Sequence, residues 1–137
     1  MSTRLTSKWS LRAAAVFAVV FGVLTIVSGA TALFGGAQAQ AAVGNAVPFV
    51  LWFNFLSGFA YVLAGVGIAL MRDWAVKLST GLAAAIAVVF VLFGLHVYQG
   101  AAFEMRTVGA MTFRLLVWIA IAVLACREMA ACRTSGR

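Results

Sequence analysis

The chain has 137 residues, of which 65% are hydrophobic and 9% are charged, and its mean hydropathy is +1.09. Soluble domains carry about a quarter charged residues, so this composition excludes a water-soluble globular fold, and the near-absence of acidic residues with a single proline excludes a disordered chain. The formal net charge of +7 does not indicate nucleic acid as a partner, because the basic residues flank apolar segments and form no long run with interleaved polar surface.

Four apolar segments follow one another along the chain, and a helix needs about 20 such residues to cross a hydrocarbon core. Each segment is apolar on all sides and does not alternate, which favours helices over the strands of a barrel. The sequence therefore predicts an all-α membrane protein, with the lipid bilayer as its main partner. We expect one domain, a bundle of four transmembrane helices with short loops, and spans at 13–34, 48–71, 78–99 and 107–126.

Local signals mark the ends of these spans. Pro48 opens the second span, where its missing N–H costs nothing. The segment "RDWAVK" (72–77) predicts a tight turn before the third span, and Gly100 is expected to end that span. The fourth span differs from the others because Arg114 lies inside it.

The stretch "GGAQAQAAVG" (35–44) after the first span has two interpretations. Its Ala-x-Ala triplets, which follow a basic N-terminus and an apolar run, are typical of a signal-peptide cleavage site. The apolar run is longer than the 7–15 residues or so that signal peptides carry, and small residues also suit a tight hairpin between two helices. We predict a retained first helix, and the alternative is a cleaved signal peptide covering residues 1–41.

Lysine and arginine are distributed unevenly between the two ends of the predicted bundle. One end, with both termini and the second loop, carries Arg4, Lys8, Arg12, Arg72, Lys77, Arg127, Arg133 and Arg137. The loops at the other end carry Arg106. The positive-inside rule therefore predicts a multi-pass protein of the cell inner membrane with both termini in the cytoplasm. Cys126 and Cys132 lie near that side, where thiols stay reduced.

Glycines seven residues apart mark one face of each of the first two spans. Gly22 and Gly29 share a face of the first span, and Gly58 and Gly65 share a face of the second. Small residues permit close backbone approach between helices in lipid, where no hydrophobic force draws helices together. We predict that these faces pack on each other, and the alternative is a seam between copies in a homo-oligomer.

The motifs of the common catalytic classes are missing from the sequence. The single histidine is too few for bis-histidine haem ligation within one chain. The two cysteines do not form a C-x-x-C motif, and the sequence holds neither a cluster with metal-ligand spacing nor a phosphate loop. We predict no catalytic residue, metal or cofactor, and an enzymatic function is disfavoured.

One polar group stands out at the end of the bundle predicted to face outward. An arginine near the centre of a bilayer costs about 2.5–3.5 kcal/mol, so Arg114 is expected to find an acceptor, and Asn54 lies at a similar predicted depth. The candidate pocket consists of Arg114, Asn54, His96, Glu104 and Tyr61. Two alternatives are open: Arg114 extends to the outer headgroups while Glu104 pairs with Arg106 in solvent, or the group contacts another subunit.

These observations favour a small integral inner-membrane protein that acts as a non-enzymatic accessory or structural component of the cell envelope. The alternative is one protomer of an oligomeric transporter or channel, which would use the outer-side polar pocket. A second copy of the chain or another membrane protein is the expected protein partner.

Overall fold

The computed structural model describes residues 2–44 and 47–135, with side chains described from residue 8 to 130 except at 43, 45 and 46; the side chain of Cys132 therefore lies outside the described part. Every regular element in these ranges is a helix, which confirms the predicted all-α fold. Four helices are long and apolar enough to cross a membrane, so the protein is a multi-pass membrane protein. The helices are α1 (Ser2–Phe34), α2 (Gly36–Val43), α3 (Pro48–Ala69), α4 (Asp73–Tyr98) and α5 (Met105–Ser135).

The turn between α3 and α4 is shorter than the sequence suggests. The N–H of Arg72 donates to the carbonyl of Gly67 (2.9 Å) and the N–H of Met71 to that of Ile68 (3.0 Å), which is the Schellman arrangement at a helix end. Met71 takes the left-handed position (φ 58°) that glycine usually occupies. Asp73 then begins α4, where a carboxylate in the first turn is favourable. The predicted turn at 72–77 is therefore mostly helix.

The two connections at the other end of the bundle use glycines with positive φ. Gly36 (φ 86°) is the first residue of α2, and Gly100 (φ 92°) follows the end of α4, as its position in the sequence predicted. The expected tight hairpin after the first span instead holds α2, an eight-residue helix that contains the "AQAQAA" stretch. Alanine and glutamine favour helix, which explains why this stretch does not stay a loop. We call this end of the bundle the α2 end.

The closest helix contact joins α1 and α3. A Cβ added at Gly22 would lie 2.8 Å from the carbonyl oxygen of Gly58, and one at Gly65 would lie 2.9 Å from that of Ala15. A Cβ at Gly29 would likewise lie 3.0 Å from the backbone of Phe55. All four glycines of the sequence pattern therefore lie where α1 and α3 approach so closely that an added Cβ would be crowded.

The other contacts set the order of the helices. α3 packs on α4 and α4 on α5, whereas α1 and α5 contact each other only sparsely. The bundle is thus a row, α1–α3–α4–α5, which curls until its two edge helices, α1 and α5, touch at a few points. Its core contains the fully buried Tyr61, Ile68, Ile86, Met111 and Trp118, and large apolar side chains cover much of its outer surface, as a lipid-facing protein requires.

Candidate functional site

A cavity of about 510 Å³ lies at the α2 end, between the two edge helices. α1, α3 and α5 form its walls and α2 lies over it. Most of the surface that lines it is apolar, although half of the lining residues are polar or charged. The lining residues are Thr25, Ser28, Gly29, Thr31, Ala32, Ala39, Ala42, Val47, Val50, Leu51, Asn54, Glu104, Arg106, Thr107, Ala110 and Arg114.

Three polar residues form the floor of this cavity. They are the lining residues that lie farthest from the α2 end on their helices: Thr25 on α1, Asn54 on α3 and Arg114 on α5. Thr25 is buried, and the other two are partly buried. Arg114 lies nine residues beyond the first residue of α5, which places its Cα roughly 14 Å along the helix axis. Arg114 is therefore at the deep end of the cavity.

An aromatic layer closes the bundle directly beneath the floor. The ring of Tyr61 stacks on that of Phe21, with centroids 5.6 Å apart, and on its other side meets Trp118 at 4.7 Å. These three rings come from α3, α1 and α5, one or two turns beyond the floor residues. Phe113 of α5 also meets Phe21 edge-on at 5.8 Å, and this contact joins the two edge helices.

A contact between α5 and α2 bridges the mouth of the cavity, which lies at the α2 end. The guanidinium of Arg106 donates to the carbonyl oxygen of Ala42 (3.1 Å), which links the start of α5 to α2. Glu104 lies just before α5, and its carbonyl accepts the N–H of Thr107 (3.0 Å). Its carboxylate lies against Gly44, because a Cβ at that glycine would meet Glu104 Oε1 at 2.5 Å. The mouth therefore holds charges of both signs.

Two buried polar atoms at the floor have no partner among the described residues: Asn54 Oδ1 and Arg114 Nε. Asn54 was expected to accept a hydrogen bond from Arg114, and the structure brings both to the floor without forming that bond. The Tyr61 hydroxyl lies near both Ser57 and Arg114. A buried donor without a partner costs about 1–3 kcal/mol, so the floor favours a polar ligand.

The structure brings some of the five predicted pocket residues together and separates others. Arg114, Asn54 and Glu104 line the cavity, and Tyr61 lies beneath it in the aromatic layer. His96 is not a lining residue: its ring meets Phe49 of α3 at 5.8 Å. The reason is the helix order, since α4 packs on α3 and α5 and stands away from α1.

Sequence reasoning missed the contribution of α1. Thr25, Ser28 and Thr31 recur every three residues in an otherwise apolar span, and this spacing was the available signal. Two of these hydroxyls bond to their own helix: Ser28 Oγ donates to the Thr25 carbonyl (3.3 Å) and Thr31 Oγ1 to the Val27 carbonyl (2.8 Å). They make the α1 wall polar without adding charge.

The charges and the shape together limit what the cavity can do. Its deep end carries a cation in a small, largely apolar space, which suits an anionic or strongly accepting group attached to an apolar body. Among the described residues, no three histidine, cysteine, aspartate or glutamate side chains lie where they could hold a metal ion. Comparison with known protein families, curated proteins and solved structures finds no match to this chain.

Proposed function

We propose that this membrane protein is an accessory component of the cell envelope that binds an amphipathic molecule in the cavity at the α2 end. The observation that carries the proposal is the Arg114 guanidinium, whose Nε is buried at the cavity floor without a partner among the described residues. A charge placed in a membrane helix is costly and usually serves a ligand, an ion path or a partner. A bound ligand with an acceptor group would offset that cost.

The alternative, a transporter or channel protomer, fits the same cavity less well. The layer of Phe21, Tyr61 and Trp118 fills the bundle beneath the floor, so conduction would require three packed aromatic rings to separate. A cavity that ends on a packed layer is suited to holding a molecule. A second copy of the chain or another membrane protein remains the proposed protein partner.

The orientation proposed for the protein follows from its basic residues. The end opposite the α2 end carries most of the lysines and arginines, and by the positive-inside rule this supports a location in the inner membrane with both termini in the cytoplasm. The cavity then opens toward the outer leaflet, so its ligand would come from that leaflet or from the space outside it.

Native mass spectrometry of the protein released from lipid nanodiscs tests the binding proposal. Ala110 lines the cavity, whereas its neighbour Gly109 faces open space, with nothing within 4 Å of an added Cβ. Ala110→Phe should fill the cavity and remove a bound small molecule that the wild type retains. Gly109→Phe adds the same side chain on the lipid-facing side and should retain it. The absence of any bound molecule in the wild type, or its retention by Ala110→Phe, would contradict the proposal.

A further inference from the structure

We infer that the ligand is an anionic lipid, which enters sideways from the bilayer between α1 and α5 and places its anionic headgroup oxygen on Arg114. The inference rests on the proposed function, since it specifies the ligand of the same cavity. Three observations support it: an opening in the side of the bundle, the distribution of charge along the cavity, and the apolar lining between the opening and the floor.

The opening lies between two contacts that join the edges of the bundle. At the end of the opening nearest the cavity floor, Phe21 of α1 meets Phe113 of α5. At the end nearest α2, Arg106 of α5 bonds to Ala42 of α2. Arg106 and Phe113 are seven positions apart on α5, which is about 10 Å along the helix axis. Elsewhere α1 and α5 contact only sparsely. The gap lies within the parts of both helices that are long and apolar enough to cross a membrane, which is where the chains of a lipid could enter.

The charges favour an anion at the floor of the cavity over one at its mouth. An anion at the mouth would lie near the carboxylate of Glu104, and the Arg106 guanidinium there is already bonded to Ala42. At the floor it would meet Arg114, with the Asn54 amide beside it for a further polar contact. A charge-assisted hydrogen bond in a poorly solvated site is stronger than one in water.

The lining between the gap and the floor suits the apolar part of a lipid. It includes the small or aliphatic residues Gly29, Ala32, Val50, Leu51 and Ala110. The hydroxyls of Ser28 and Thr31 beside them already donate to carbonyls of α1. They leave room next to α1 that a larger side chain would fill. A hydrated ion that entered from water would gain nothing from these surfaces, whereas an acyl chain loses no hydration on contact with them.

Fluorescence of Trp118 measures whether a lipid chain reaches this site, because the residue is fully buried beneath the floor. In a variant with W9F, W52F and W74F, Trp118 is the only tryptophan left, and the three replaced residues are all exposed. Bromine atoms on lipid chains quench tryptophan only at short range. The probe is a phosphatidylcholine vesicle with increasing mole fractions of either brominated phosphatidylglycerol or brominated phosphatidylcholine.

We expect phosphatidylglycerol to quench Trp118 with a relative affinity about tenfold above that of phosphatidylcholine, the size of effect for one hydrogen bond to a charged group. Arg114→Gln should abolish this preference and Arg114→Lys, which keeps the cation, should retain most of it. Arg127→Gln is the matched control, since Arg127 is an exposed arginine of the same helix near its opposite end, and it should change nothing.

Equal quenching by the two lipids, or a preference that survives Arg114→Gln, would overturn the inference. Inorganic phosphate at millimolar concentration distinguishes a lipid headgroup from a free anion: loss of the preference on its addition would assign the site to a free oxyanion and overturn the lipid assignment. The two proposals fail separately. A molecule displaced by Ala110→Phe but indifferent to Arg114→Gln leaves the binding function standing and refutes the anionic lipid.

Discussion

At the scale of single residues, the position of Arg114 in the cavity is unfavourable for the stability of the fold. Its guanidinium reaches the floor, yet Nε has no partner among the described residues, and the nearby Asn54 Oδ1 also lacks one. If Arg114 served only to stabilise the fold, we would expect a hydrogen bond between its Nε and Asn54 Oδ1. Functional sites commonly keep groups that are unfavourable for folding until a ligand binds, and this residue fits that description.

Replacing Arg114 should therefore stabilise the protein when no lipid is present. In detergent without added lipid, Arg114→Leu removes a buried donor that lacks a partner, and Tm should rise by at least about 3 °C. Asn54→Leu should not lower Tm, because no bond to Arg114 is lost. Thermal unfolding followed by circular dichroism measures both, with Arg12→Leu, an exposed arginine at the opposite end, as control. A marked loss of stability in Asn54→Leu would show that the two residues pair after all.

At the scale of whole helices, the contact between α1 and α3 holds the cavity wall in place. The backbones approach closely at Gly22 and Gly58, and this fixes the positions of Thr25 and Asn54 on the two helices. In lipid such packing is a main source of helix association. The other edge of the cavity, between α1 and α5, lacks comparable contacts. One side of the cavity is therefore closely packed and the other is open.

A larger residue at Gly58 should separate α1 from α3. A Cβ there would lie 2.7 Å from Ile26 Cγ1 and 3.1 Å from the Gly22 carbonyl oxygen, and overpacking of this kind costs about 1–3 kcal/mol. Unfolding by titration with sodium dodecyl sulfate should show Gly58→Leu less stable than the wild type by that amount. Gly94→Leu is the control, since nothing lies within 4 Å of a Cβ there. Equal stability of both variants would mean that α1 and α3 do not pack through these glycines.

At the scale of the whole molecule, the orientation in the membrane is a proposal that rests on its charges. The proposed topology, with both termini in the cytoplasm, follows from the surplus of lysine and arginine at the end opposite α2. Reporter fusions test it directly. Alkaline phosphatase fused to the C-terminus should be inactive and a fluorescent protein at the same place should be bright. An active phosphatase would show that the protein has the opposite orientation, with the cavity on the cytoplasmic side.

The mature length of the chain is the other property of the whole molecule that is open to measurement. α1 and α3 pack closely along their glycine faces, so removal of residues 1–41 would take away one wall of the cavity and most of the partner surface of α3. We expect the intact mass of the purified protein to correspond to a chain that begins at or near Met1. A mass lacking roughly the first 41 residues would establish the signal-peptide interpretation.

Sequence alone determined what depends on local chemistry: the membrane class, the all-α fold, the helix start at Pro48, the end of α4 at Gly100, and the anomaly of Arg114. Composition, helical periodicity and the special geometry of proline and glycine are readable without knowing which segments meet. Only the tertiary structure decided that α1 and α5 are the edges of the bundle, that Thr25 joins the floor and that His96 does not. Those facts depend on which helix faces pair, and several pairings satisfy the same apolar pattern equally well in lipid.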